Sequence, residues 1–191
     1  MATSIDGNSI SLGSVSLSSS GTTFANSASS VTDAPAGSVV QSATTTATGS
    51  VAVNSSDISA SGLIVTMTPR LSGSKFLTIL SGVNAHSNKT SSDNHGTIYY
   101  MYVSVAGGSY ANVTSNVIQS HFVDGGLGAW IDVPLTTTFL STPTYTLGNT
   151  VAFQPYYARA TSSSGTVYFH HTGHSAAASQ VYNLTVLEIA S

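Results

Sequence analysis

Short β-prone runs recur along this chain at close spacing, and no segment shows the sustained 3.6-residue apolar period of an amphipathic helix. Eight to ten such runs without βαβ alternation predict an all-β fold, an antiparallel β-sandwich. The clearest strand is 97–105 (TIYYMYVSV), whose two faces both look at least partly covered. The other predicted strands are 38–41, 50–53, 62–68, 75–83, 117–118, 129–133, 151–160, 166–170 and 180–189.

Among sandwiches, we expect the jelly-roll type for residues 38–191. The alternative is an immunoglobulin-like sandwich, which has fewer strands and, in antibody domains, a Cys–Trp–Cys pattern. This chain has no cysteine, so that pattern is absent, and disulfides and Cys-ligated zinc are excluded as well.

Residues 1–37 differ from the rest because Ser, Thr and Ala dominate them and apolar side chains are sparse. Such a segment buries too little apolar surface to offset its own ordering entropy. It is either a disordered tail or an extended N-terminal arm that becomes ordered against another subunit or partner. We predict an arm that anchors the protein through isolated apolar residues, namely Ile5, Ile10, Leu12, Val15, Leu17 and Phe24.

Charge is scarce: 4 basic and 7 acidic residues stand among 191, while Ser and Thr fill about 31% of the chain. Four cations cannot form the basic surface that nucleic-acid binding needs, so we expect no nucleic-acid partner. No apolar run approaches the roughly 20 residues that cross a bilayer, and the N-terminus lacks the pattern of a signal peptide. We therefore expect no membrane contact and synthesis in a cytoplasm.

Three stretches resemble the small structural proteins of tailed bacteriophages. They are 21–41 (GTTFAN to PAGSVVQ), 62–77 (GLIVTMTP, then SGSKFL) and 184–190 (LTVLEIA). The resemblance implies a jelly-roll domain similar to the trimeric tumour-necrosis-factor and C1q heads. Such modules occur in fibres, capsid decoration proteins and receptor-binding tips. The resemblance supplies no catalytic residues.

Nine tyrosines in a charge-poor domain also favour a homotrimer, because tyrosine is enriched at interfaces. One face of strand 97–105 would then lie in the core and the other against a neighbouring subunit. The alternative is that the tyrosines line a wide core.

The most polar predicted loop runs from His86 to His95. It is the candidate surface for contacts to a host glycan or to another virion protein, and the alternative is an ordinary solvated hairpin loop. The loop lacks the spaced carboxylates of a calcium loop. Its candidate contact residues are His86, Asn88, Lys89, Asp93, Asn94 and His95.

His170 and His174 form the one cluster with metal-ligand chemistry, and on a threefold axis three copies of one histidine could complete a site. The alternative is that both are exposed loop or strand-end residues. Because strand alternation gives poor convergence, we predict no obligatory metal and no cofactor.

A glycan-active enzyme would need a pair of carboxylates in a cleft. The only acids in the later strand region are Asp124, Asp132 and Glu188, and they are scattered along the chain. We therefore predict no catalytic residues and no enzymatic activity.

Together these features predict a non-enzymatic structural virion protein of a tailed phage, assembled in the host cytoplasm. It would be a homotrimeric jelly roll on the particle surface, as capsid decoration or head fibre, bound to other virion proteins through its arm. The alternative function is a tail-fibre or receptor-binding tip that recognises host surface saccharide and serves host attachment.

Overall fold

The computed structural model describes residues 5–6, 9–12, 15–18, 34–53, 58–89, 97–113, 130–159, 165–170 and 180–191. All regular secondary structure among these residues is β-strand, as predicted. The strands are β1 (Ile5–Asp6), β2 (Ser9–Leu12), β3 (Val15–Ser18), β4 (Val39–Thr48), β5 (Val51–Val53), β6 (Ser59–Ala60), β7 (Val65–Met67), β8 (Lys75–Lys89), β9 (Thr97–Val105), β10 (Ala111–Asn112), β11 (Trp130–Ser141), β12 (Val151–Arg159), β13 (Gly165–His170) and β14 (Val181–Ile189).

Two antiparallel sheets form the domain, and we name them sheet I and sheet II. Sheet I has the order β10-β9-β12-β6, with β7 also pairing β12. Sheet II has the order β4-β14-β8-β13-β5, with β11 pairing β8 along its other edge. The predicted antiparallel sandwich is confirmed.

The long strand β8 changes partner halfway. Its first half pairs with β14 as far as Ser81, and its last residues pair with β13 from His86 to Lys89. Gly82 lies at the change with a φ of +71°, a conformation that side chains with a Cβ rarely adopt. The pairing between β8 and β11 shifts register at the same level, between Leu135 and Thr137. The resulting bend lets one strand belong to both halves of sheet II.

The core lies between the two sheets and consists of alternate residues of each strand. In sheet I the buried apolar positions of β9 are Tyr99, Met101 and Val103, which belong to one of the two faces that strand alternation separates. Aromatic rings join the layers: Phe76 of sheet II lies 5.1 Å from Phe153 of sheet I, measured between ring centroids. Each such fully buried side chain contributes about 1.5–3 kcal/mol, so the core supplies the main stabilisation.

Strands β1 to β3 form a separate antiparallel meander, order β1-β2-β3. Its register pairs Ile5 with Ile10, Ile10 with Leu17, and Leu12 with Val15. The backbone register of the meander therefore places aliphatic residues opposite one another. Five of the six predicted anchor residues lie here, and Phe24 lies outside the described residues.

Three strands are longer than the sequence predicts. Strand β4 continues to Thr48 through a run of small polar residues, β8 continues to Lys89, and β11 continues through Pro134 to Ser141. In each case backbone pairing with a neighbouring strand outweighs weak local propensity. Pro134 is tolerated because β11 is an edge strand. The predicted strand at 117–118 lies outside the described residues. Across the described part of the chain, no helix has the length and apolarity required to span a membrane.

Candidate functional site

The outer face of sheet I carries a cluster of tyrosines, which we call the tyrosine face: Tyr100, Tyr102, Tyr110 and Tyr156. Tyr100 lies directly opposite Tyr156 in the register of β9 and β12. The rings of Tyr102 and Tyr156 stack with centroids 4.0 Å apart and an interplanar angle of 26°. The Tyr110 ring lies 6.1 Å from that of Tyr156. Rings held in this way present a preorganised aromatic surface with phenol groups at its edge.

Two effects raise the pKa of Tyr110 above its ordinary value of 10.0: its partial burial, and the nearby phenol of Tyr156. The phenol therefore stays protonated at neutral pH and can donate a hydrogen bond. Such a surface can pack against a protein neighbour or against the apolar face of a sugar ring, with hydroxyl groups nearby for orientation.

Four other tyrosines belong to the core or to a loop, and Tyr168 lies half-buried on β13. Tyr99, Tyr157 and Tyr182 are each at most 3% exposed, while Tyr145 bridges a turn by donating to the carbonyl of Leu71 at 2.6 Å. The interpretation that tyrosines line the core therefore holds for these three, and an interface role for the outward tyrosines stays a prediction. Sequence alternation alone signals the outward tyrosines of β9, but their stacking on β12 requires the strand pairing.

The outer face of sheet II is aliphatic at its centre, and we call it the leucine face: Leu77, Ile79, Leu140 and Leu187. Leu77 of β8 lies between Leu187 of β14 and Leu140 of β11, so three leucines form one row across three strands. Leu140 is 61% exposed. Ile79 lies one row further on, between Thr185 and Thr138. These residues point away from the sandwich core, because the alternate positions of the same strands are the buried ones.

Glu188 is fully buried and holds a turn in place. Its carboxylate accepts hydrogen bonds from the backbone N–H groups of Arg70 and Leu71 at 3.0 Å and from the Ser74 hydroxyl at 2.7 Å. It also accepts a bond of 2.6 Å from the side-chain amide of Gln41. Four donor groups converge on the two oxygens, so this carboxylate serves a structural role and is enclosed away from substrate.

His170 is also fully buried, so the interpretation of it as an exposed strand-end residue is wrong. The pairing of β13 with β5 turns it into the sandwich, where its ring lies 4.3 Å from that of Tyr182. Its Nδ1 accepts a hydrogen bond of 3.1 Å from the backbone N–H of Asn84. An accepting Nδ1 places the proton of the neutral ring on Nε2. His174 lies outside the described residues.

The first part of the predicted contact loop is strand. His86, Asn88 and Lys89 are strand residues of β8, whose backbone pairs with β11 on one side and β13 on the other. Asp93, Asn94 and His95 lie outside the described residues. A contact role for the segment 86–95 stays a prediction. Its first residues belong to the end of strand β8.

The scattered acids stay scattered where the structure describes them. Asp132 lies on β11 opposite His86, in sheet II. Glu188 lies on β14, where its carboxylate accepts the hydrogen bonds described above. Asp124 lies outside the described residues. Within the described part of the chain, no three His, Cys, Asp or Glu side chains come together as a metal site. The absence of enzymatic activity stays a prediction.

A shallow groove of about 420 Å³ lies where β8 changes partner. Uncharged residues line it, including Gly82, Asn84, Leu135 and Val181. The groove brings no acid or base near a second one, so its chemistry is limited to weak polar and apolar contact.

No protein-family model matches the chain, and no curated protein matches it. Among the solved structures that match is a chain of the "Structure of infectious bursal disease virus Gx strain", which is 14% identical with a TM-score of 0.30. The match covers 81% of this chain and 39% of that chain. At this TM-score the likeness carries no argument about fold or function.

Proposed function

We propose that this chain is a non-enzymatic structural protein of a tailed-phage virion. It is a jelly-roll module that forms homotrimers on the particle surface, as capsid decoration or head fibre, and residues 1–37 anchor it to other virion proteins. The observation that carries the proposal is the pair of outer faces on the sandwich. One is aromatic, the other is aliphatic, and neither brings catalytic groups together.

Both faces suit contact with protein surfaces. Interface cores are depleted in charge and enriched in tyrosine, which matches the tyrosine face. The leucine face exposes aliphatic side chains, and their contact with water does not stabilise a monomer. The resemblance of 62–77 and 184–190 to phage structural proteins points the same way, and these segments supply β7, the start of β8 and the end of β14.

The arm supports the anchoring part of the proposal. Ile10 pairs with Leu17, and Leu12 pairs with Val15, in the backbone register of β2 and β3. An arm with aliphatic residues at these positions can bind a groove of a capsid or tail protein, and each aliphatic side chain that the groove fully buries contributes about 1.5–3 kcal/mol.

Two measurements test this proposal. Light scattering of the purified chain at micromolar concentration should give three times the monomer mass of 19.4 kDa. Antibodies raised against residues 38–191 should label intact purified particles of the encoding phage by electron microscopy. A clean monomer contradicts the trimer, and particles that lack the protein contradict the virion role.

The second candidate is a tail-fibre or receptor-binding tip that recognises host surface saccharide, and the tyrosine face favours it. The stacked pair Tyr102 and Tyr156 offers an aromatic platform for a sugar ring. If this function is correct, Tyr156→Ala abolishes binding to host polysaccharide, whereas Thr44→Ala on the opposite sheet leaves it unchanged. Equal binding by both variants and the parent protein contradicts a saccharide site at the tyrosine face.

A further inference from the structure

The leucine face lies at the centre of the outer surface of sheet II, and the residues of this surface are nearly all uncharged. The described outward positions of β4, β14, β8 and β11 are almost all aliphatic, hydroxyl or amide residues, and the one charge is Lys75 at the end of β8. Hydroxyl groups on this surface bond to one another across strands, as Thr44 Oγ1 and Thr185 Oγ1 do at 2.9 Å. The outward residues are Ser42, Thr44, Thr46, Thr48, Lys75, Leu77, Ile79, Ser81, Thr136, Thr138, Leu140, Val181, Asn183, Thr185, Leu187 and Ile189.

We propose that a second copy of this chain covers the leucine face. The inference rests on the proposed self-association and adds the surface through which the copies meet. In this arrangement the row Leu187, Leu77 and Leu140 lies at the centre of the contact. The threonines around it form a polar rim, which matches the usual anatomy of a protein interface.

The dimensions of the face favour a second folded copy over a smaller occupant. Four strands about 4.8 Å apart and about nine residues long, at about 3.3 Å each, give roughly 500–600 Å² of flat sheet. Projecting side chains raise the accessible area toward the roughly 800 Å² per partner of a standard interface. The meander β1–β3, with strands of four residues or fewer, spans roughly 190 Å² by the same measure and covers about a third of the face.

Chemistry also favours a second copy. The centre of the leucine face carries no charge and Lys75 lies at one end of it, so another copy of this charge-poor chain can pack on the face without burying an unpaired charge. The backbone of sheet II is already paired within the sheet, so only side chains need to interdigitate. The tyrosine face, on the other side of the sandwich, stays available for a different partner.

The test compares two exposed leucines of the full chain. Leu140 on the leucine face is 61% exposed and Leu147 in the loop after β11 is 54% exposed, so both tolerate a polar replacement in a folded monomer. Leu140→Glu places a charge at the proposed contact and should convert the assembly to monomers with an unchanged circular-dichroism spectrum. Leu147→Glu should keep the parent mass. Leu140→Thr, which retains strand propensity, should weaken self-association at least tenfold by sedimentation.

Each outcome decides a separate point. A Leu140→Glu or Leu140→Thr variant that keeps the parent assembly overturns the leucine face as the contact and leaves the trimer standing. A parent protein that is dimeric, and that Leu140→Glu dissociates, supports the contact and contradicts the trimer. A monomeric parent contradicts both. If deletion of residues 1–36 alone yields monomers, the arm forms the contact between copies and the inference is wrong.

Discussion

The carboxylate of Glu188 accepts a hydrogen bond of 2.7 Å from the hydroxyl of Ser74, a residue 114 positions earlier in the chain. The backbone N–H groups of Arg70 and Leu71 donate to the same carboxylate. These bonds fasten the turn between β7 and β8 to the last strand of sheet II. Charges are few in this chain, and the buried Glu188 carboxylate is one of them. The turn between β7 and β8 therefore depends on charge-assisted hydrogen bonds for its conformation.

Replacing Glu188 with Gln should lower the free energy of unfolding by about 2–3 kcal/mol, because the new amide group places donors against donors in a buried site. Urea unfolding at neutral pH measures this loss. Ser74→Ala is the matched control: it keeps the carboxylate, removes one donor and should cost about 1 kcal/mol. A Glu188→Gln protein as stable as the parent would show that the hydrogen bonds to this carboxylate contribute little to the free energy of unfolding.

A Cβ at Gly82 should destabilise the domain far more than a Cβ at Gly62. Both glycines have a positive φ, +71° and +78°, so both alanine variants carry similar backbone strain. At Gly82, however, the added carbon would lie 2.5 Å from the carbonyl oxygen of Val181, whereas nothing lies within 4 Å at Gly62. Gly82→Ala should therefore lose at least about 1 kcal/mol more than Gly62→Ala in urea unfolding. Equal losses would mean that β14 yields easily at this point.

Local sequence determines those strands in which residues of opposite faces alternate clearly along the chain. Strand β9 has the predicted bounds, and Tyr99, Met101 and Val103, which strand alternation places together on one face, lie in the core. Strands β4 and β8 extend into polar segments that no local pattern marks as strand. Their extra residues are held by backbone pairing with partners distant in sequence, such as Thr46 with Asn183.

The candidate surfaces depend even more on distant pairing. The leucine row joins Leu77, Leu140 and Leu187 from three strands, and each of these leucines is an ordinary strand residue in its own segment. The role of Glu188 likewise depends on donors more than 100 positions away. The sequence therefore predicts the fold class and which β9 residues share a face, while the face that is buried and the sites that span strands need the register.

Alkaline pH should destabilise the protein through its core tyrosines. Burial raises the pKa of Tyr99 well above 10.0, and burial also raises those of Tyr157 and Tyr182. The unfolded chain releases these protons near pH 10 and the folded chain does not. The stabilisation is therefore complete below pH 10 and is lost as pH rises toward the folded values.

For each such tyrosine the slope approaches about 1.4 kcal/mol per pH unit. Tyr99→Phe keeps the ring in the core. Above pH 10 it should make the fall of the unfolding free energy with pH less steep, by the contribution of about one proton. Urea unfolding at several pH values from 7 to 11.5 measures both slopes. If the two proteins decline in parallel, Tyr99 does not govern the alkaline loss.

Removal of metal ions should leave the melting temperature unchanged within about 1 °C. The Nδ1 of His170 is occupied by the N–H of Asn84, and the ring is enclosed beside Tyr182, which leaves little room for a convergent ligand set. Thermal melts with and without a strong chelator test this, and added zinc serves as the reciprocal control. A fall of several degrees on chelation would mean that histidines, including those of neighbouring copies, share an ion.

Deleting residues 1–36 should leave a folded domain that no longer joins particles. Among the residues that the structure describes, the hydrophobic core draws on those from Leu63 to Val186, and the deletion removes none of these. The first backbone bonds between this end of the chain and sheet II, from Gly37 N–H to the Ala190 carbonyl and from Ala190 N–H to the Ser38 carbonyl, survive the deletion. The truncated protein should therefore melt cooperatively near the parent temperature.

The arm itself should account for attachment. Five aliphatic residues lie on the strands of the meander, and each side chain that a partner's groove fully buries contributes about 1.5–3 kcal/mol, enough together to retain an arm that docks there. Occupancy of the truncated protein on particles, measured by quantitative mass spectrometry, should fall to background. Substituting Ile10 and Leu17 with Ser in the full chain should have the same effect without changing the melt. Normal occupancy after either change would place the anchor in the sandwich, and failure of the truncated chain to fold would make the arm part of the domain.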